Sequence, residues 1–160
     1  MNGELVSEKP ELRPARKGYT VSYKGKTLLS TIDPISQSER IASGIIPRDR
    51  TLYFCPSPLL GYGLDTLLSH ITKDSAVLCT ETDEQLFALS HSSINKDVLK
   101  HSGIALTGMT DSIQLCRFVR ERWGARVFRR IEQVKLSGGW QLDATYQAMA
   151  EALQKDIALD

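Results

Sequence analysis

The sequence predicts an α/β domain with a mostly parallel sheet and helices on both faces, and three observations carry the prediction. Short β-branched and aromatic runs alternate with stretches whose apolar residues recur at helical spacing, the pattern of strand–helix–strand units. Thr51 to Glu84 holds one such unit with a glycine turn inside it. The 160 residues suffice for one domain with a proper core.

The elements follow in order. Residues 1–16 are charged and proline-containing and are expected to form a flexible tail ahead of a single domain over 17–160. Tyr19–Tyr23 and Thr27–Ser30 flank Lys24-Gly25-Lys26 and read as a β-hairpin. Asp33 caps a helix that takes Pro34 in its first turn and runs to Ser43, where Gly44 stops it. Thr51–Cys55 is a strand, Leu64, Leu67, Leu68 and Ile71 mark a helix, and Ala76–Cys79 is a second strand. Asp83–Ser90 and Asn95–His101 read as helices and Ile104–Leu106 as a short strand. Thr110 or Asp111 caps a helix ending near Trp123-Gly124, with Leu115, Cys116, Val119 and Trp123 on one face. Val127–Leu136 reads as the longest strand, Ser137-Gly138-Gly139 as a turn, and Asp143 as the cap of a last helix. Tyr146, Met149, Ala150, Leu153 and Ile157 form the apolar stripe of that helix. The sum is a Rossmann-like three-layer domain with an N-terminal hairpin.

Strand, glycine turn, helix, strand and acid, in that order, make the front half of a Rossmann-like ligand site. Gly61, Tyr62 and Gly63 would bring backbone close to a ligand at a helix N-terminus. Glu81 or Asp83, about twenty residues on, would meet a ribose hydroxyl. Glu81 comes first after the strand; Asp83 is also placed to cap the next helix. The pattern lacks a third glycine. Pro56 and Pro58 offer no amide donors to a phosphate, and Asp65 repels one. The competing reading gives the glycines only a tight turn and close packing.

The net charge of +1 gives no global case for nucleic acid or membrane. No apolar run approaches the ~20 residues of a membrane span, and the first residues lack the apolar core of a signal peptide. Cys55, Cys79 and Cys116 fall in apolar segments, the usage of reduced, buried thiols in a cytoplasmic protein. No CxxC or HxxxH pair supports a metal site. His70, His91 and His101 have no carboxylate or cysteine at ligand or triad spacing. Arg117, Arg120, Arg122, Arg126, Arg129 and Arg130, interleaved with aromatics, are either a patch for a phosphate-bearing ligand, nucleic acid or an acidic partner domain, or a solvated helix face diluted by Glu121 and Glu132. No catalytic residue is assigned.

Asp33-Pro34 followed by Glu39-Arg40, then Leu59–Asp65 (LLGYGLD), then Thr80–Phe87 (TETDEQLF), resembles the N-terminal region of the motility-associated glycosyltransferase-like proteins of flagellated bacteria. These are relatives of 6-hydroxymethylpterin diphosphokinase. Gly61-Tyr62 matches the family's turn, and Glu81-Thr82-Asp83 its acidic element, with Thr82 in place of proline; Leu59 stands where the family often has another glycine. The resemblance covers residues 30–90 well and the rest loosely. It implies an accessory domain whose partner is a C-terminal transferase-like domain in a longer chain. It also implies a ligand of nucleotide type, a nucleotide or a nucleotide sugar. Two other classes stay open. One is an S-adenosylmethionine-dependent methyltransferase, whose usual motif would need an acid at Ser57 and a glycine at Leu59. The other is a non-catalytic protein-interaction module.

Overall fold

A computed structural model of the chain describes residues 9–158. Four parallel strands form the central sheet: β4 (Thr51–Pro56), β5 (Ala76–Thr80), β6 (Ile104–Thr107) and β7 (Arg130–Gln133). Their order is β6-β5-β4-β7. Numbered from β4, that is 3-2-1-4, the start of the Rossmann order. Three short antiparallel strands, β1 (Glu11–Pro14), β2 (Tyr19–Tyr23) and β3 (Lys26–Thr27), make a separate sheet. The chain is therefore a Rossmann-like α/β domain with an N-terminal antiparallel sheet.

Strand alternation divides the core. Leu52, Phe54, Ala76 and Leu78 point to one face, under α5 (Ser112–Trp123) and α6 (Thr145–Ala158), and pack on Leu115, Val119, Met149 and Leu153. Tyr53, Cys55, Val77 and Cys79 point to the other face. There α1 (Pro34–Ser43), α2 (Leu64–His70) and α4 (Lys96–Leu99) supply Ala42, Leu64, Leu67 and the partly buried Val98 and Leu99. β4 and β5 are buried along their whole length, which is why both read as unbroken apolar runs. Cys55 and Cys79 are register partners, free and buried. The Cys79 thiol is pushed well above its ordinary range, first by its hydrogen bond with Cys55 and then by burial.

The helix caps act as their chemistry dictates. Asp33 accepts from the Ser36 amide, Asp83 from Gln85 and Leu86 at the start of α3 (Glu84–Ser93), and Asp111 from Ile113. Gly44 closes α1 with ordinary right-handed dihedrals, so it is a stop without a left-handed turn.

Two expectations need correction. Glu11–Pro14 lies within the expected flexible tail but pairs along its length with Tyr19–Ser22. Its residues are all exposed, so backbone pairing holds it, and no apolar periodicity marks it. Pro14 is tolerated because the strand is an edge. Residues 1–8 of that stretch lie outside the described residues. The long strand expected over Val127–Leu136 is only Arg130–Gln133. Val134 makes one more bond to β4, and the chain then turns away: the Leu136 carbonyl accepts from Ser38 on α1 and the Gly138 amide donates to Leu28.

Candidate functional site

The loop from β4 to α2 holds an alternation of left-handed backbone: Ser57 (φ 53°), Leu59 (φ 53°), Gly61 (φ 81°) and Gly63 (φ 89°). Of its amides, those of Ser57 and Gly61 bond to the Thr80 and Pro58 carbonyls, and that of Leu59 turns inward to a carboxylate of the chain itself. Glu81, immediately after β5, is fully buried, and its carboxylate accepts from Ser57 Oγ at 2.9 Å, the Leu59 amide at 2.9 Å and Ser90 Oγ at 2.7 Å. Burial raises its pKa, and those three hydrogen bonds oppose the rise without cancelling it.

The glycines are packed as tightly. A Cβ on Gly61 would lie 2.7 Å from Ile94 Cγ1, and one on Gly63 2.8 Å from the Ser38 carbonyl oxygen. Leu59 itself is buried with Val21, Tyr23, Leu28 and Leu86, so the N-terminal sheet and α3 sit over this end of the parallel sheet. Two hydrogen bonds fasten the cover: the Tyr19 amide donates to Tyr62 Oη at 3.2 Å, and the Tyr23 hydroxyl donates to the Asp83 carboxylate at 3.1 Å. Lys24 adds an ion pair to Asp83 at 3.4 Å. At Asp83, burial is outweighed by its hydrogen bonds to Leu86, Tyr23 and Gln85 and by Lys24, and its pKa falls.

The five residues singled out from sequence therefore separate. Gly61, Tyr62 and Gly63 line an open cavity of about 550 Å³ on the α2–α4 side. The same cavity carries Glu39, Asp65 and Asp97 without a lysine or arginine, the wrong sign for a phosphate. Glu81 and Asp83 do not line it. Glu81 is interior, and Asp83 caps α3 beneath the hairpin.

Sequence reasoning missed a polar cluster beside them. The Thr82 amide donates to Tyr146 Oη at 3.0 Å, and Thr82 Oγ donates to Asp143, the residue that caps α6. Tyr146 is pushed up to about 12 by burial and by the nearby Glu81 charge. The cap at Asp143 was legible, but its link to Thr82 joins segments far apart in the chain. Thr80 Oγ, by contrast, is buried and has no hydrogen-bond partner.

Three of the six arginines of the basic stretch are spent within the fold. Arg120 makes a two-pronged bond to Asp156, Arg122 donates to the Ile104 carbonyl, and Arg130 binds Asp49. His70 meets the Ile45 carbonyl, His91 stacks on Phe87, and His101 accepts from the Gly103 amide. Among the described residues, no group of three His, Cys, Asp or Glu could hold a metal ion, and no helix is long and apolar enough to cross a membrane.

No protein-family model matches the chain. An "Uncharacterized protein" of Treponema pallidum (strain Nichols) is 28% identical over 157 residues. The match takes in 98% of this chain and 27% of the relative, so the chain spans about a quarter of that protein's length.

Proposed function

We propose that this chain is a Rossmann-like accessory domain of a longer glycosyltransferase-like or pyrophosphokinase-like protein, one that shapes the larger protein and performs no chemistry alone. One observation carries the reading. The acid that would face a ribose, Glu81, is consumed inside the domain as the anchor of the loop that would cradle a phosphate. The resemblance of residues 30–90 to an N-terminal region, and the greater length of the Treponema relative, support the accessory role.

The test is a thermal-shift screen of the domain against nucleoside diphosphates and triphosphates, nucleotide sugars and S-adenosylmethionine. A ligand at one hundred times its dissociation constant adds about 2.7 kcal/mol, well within such a scan. Melting should not move with any nucleotide. A shift that disappears in Tyr23→Phe or Glu81→Gln, with the variant still folded, would overturn the reading in favour of a working nucleotide site.

A further inference from the structure

The strand order leaves a second crevice at the carboxyl ends of the sheet. β4 and β7 are neighbours, but the chain leaves β4 toward β5 and reaches β7 from β6 on the far side. In open α/β sheets, ligands bind where the order reverses in this way. The N-terminal sheet covers Leu59 and the β5 side. On the β7 side a cavity of about 200 Å³ remains, between Pro56 at the end of β4, Gln133 at the end of β7, and Lys135, Trp140, Asp143 and Gln147.

We propose that this cavity binds a free α-amino acid with an apolar side chain. The walls decide the class. Pro56, Trp140 and Ala144 give them apolar surface, Gln133, Gln141 and Gln147 amides, and their charged groups are one cation, Lys135, and one carboxylate, Asp143. A ligand matching them has an apolar body and a single opposite pair of charges. Its carboxylate meets Lys135, its ammonium meets Asp143, and its side chain lies between the rings.

Other classes fit worse. A nucleotide needs a pocket of at least about 300 Å³, and a phosphate needs more than one lysine facing a carboxylate. A neutral polyhydroxyl ring would leave the Lys135 and Asp143 charges without an opposite charge to meet them. Lys135 Nζ lies 3.9 Å from the Trp140 ring centroid, which holds the cation at the cavity wall. Asp143 accepts one bond at each oxygen, from Thr82 and from Thr145, leaving a lone pair on each. Those bonds outweigh its burial and keep it ionised. Gln133 and Gln147 approach each other at 3.5 Å and close one side with amides.

The inference is independent of the longer protein's activity and concerns the β7 side, so a negative nucleotide screen leaves it untouched. The experiment is ligand-observed NMR on the domain with leucine, methionine and phenylalanine, each compared with its N-acetyl and its amide derivative. At least one free amino acid should bind, and both of its derivatives should bind tenfold or more weakly, because each removes one charge. Lys135→Gln, at an exposed position, should lower binding of that amino acid to the level of its amide without changing melting. Absence of binding at about 10 mM, ten times a millimolar constant, would overturn the proposal. So would derivatives that bind as well as their parent, or a folded Lys135→Gln that binds normally. If Lys135→Gln melts early, Lys135→Met, which keeps an apolar stem over Trp140, takes its place and should lower binding to the same level.

Discussion

Ser90, on α3, donates a 2.7 Å hydrogen bond to the carboxylate of Glu81, and both side chains are fully buried. The bond ties the helix after β5 to the loop after β4, because the same carboxylate also holds Ser57 and the Leu59 amide. Ser90→Ala removes one donor to a charged group and should cost about 1.5–3 kcal/mol. Glu81→Ala strands three buried donors and should cost about 3 kcal/mol or more, a large part of a stability of roughly 5–15 kcal/mol. Denaturant melts of the two variants check both values and their order.

The same carboxylate sets a pH dependence. Its pKa is raised in the folded state, so the wild type binds more protons folded than unfolded at this site. The stability so contributed is fully present below the unfolded value and is lost as pH rises through the folded one. Asp83 and Asp143 act oppositely: their pKa values are lowered, and their contribution is lost as pH falls through the folded values. Stability should therefore peak at mildly acidic pH. The difference between wild type and Glu81→Gln should shift toward the wild type on acidification from neutrality. Paired melts across that range measure it, and a difference that moves the other way would refute the assignment.

Gly61 and Gly63 should differ in how they tolerate alanine. Both adopt a left-handed conformation, which costs a side chain about 1–3 kcal/mol. At Gly63 the new Cβ also meets the backbone of α1, which cannot move aside. At Gly61 it meets the Ile94 side chain. Ile94→Ala should therefore relieve part of the cost of Gly61→Ala and none of the cost of Gly63→Ala, which a double-mutant cycle reads directly.

Thr80→Val should leave the domain as stable or make it more so, by up to about 1 kcal/mol. The change replaces a buried hydroxyl that lacks a partner with a methyl of the same shape. A clear loss of stability in chemical denaturation would show that the hydroxyl is satisfied in solution.

Much of the fold was legible because local chemistry and tertiary structure agree. The β4–α2–β5 unit, the caps at Asp33, Asp111 and Asp143, and the inward stripe of α6 all rest on periodicity or on bonds within a few residues. β1 was not legible, because an exposed edge strand has no apolar period. The site was legible only as residue types. Sequence spacing placed Glu81 after the second strand, as found, but the partners that bury it come from Ser57, Leu59 and Ser90, and the cover over Leu59 comes from Val21, Tyr23 and Leu28. An acid at that spacing faces solvent or the interior according to residues on other elements, from Ser90 on the next helix to Val21 in the N-terminal sheet, which no local pattern encodes.

The closed crevice is tested most directly by hydrogen exchange at the Leu59 amide. That amide donates to Glu81 in the interior, beneath the N-terminal sheet. Its exchange should require opening that approaches global unfolding, and should be unchanged by nucleotides or S-adenosylmethionine. Fast exchange in the free domain, slowed by one of these ligands, would show that the crevice is open and occupied from outside, and would contradict the account.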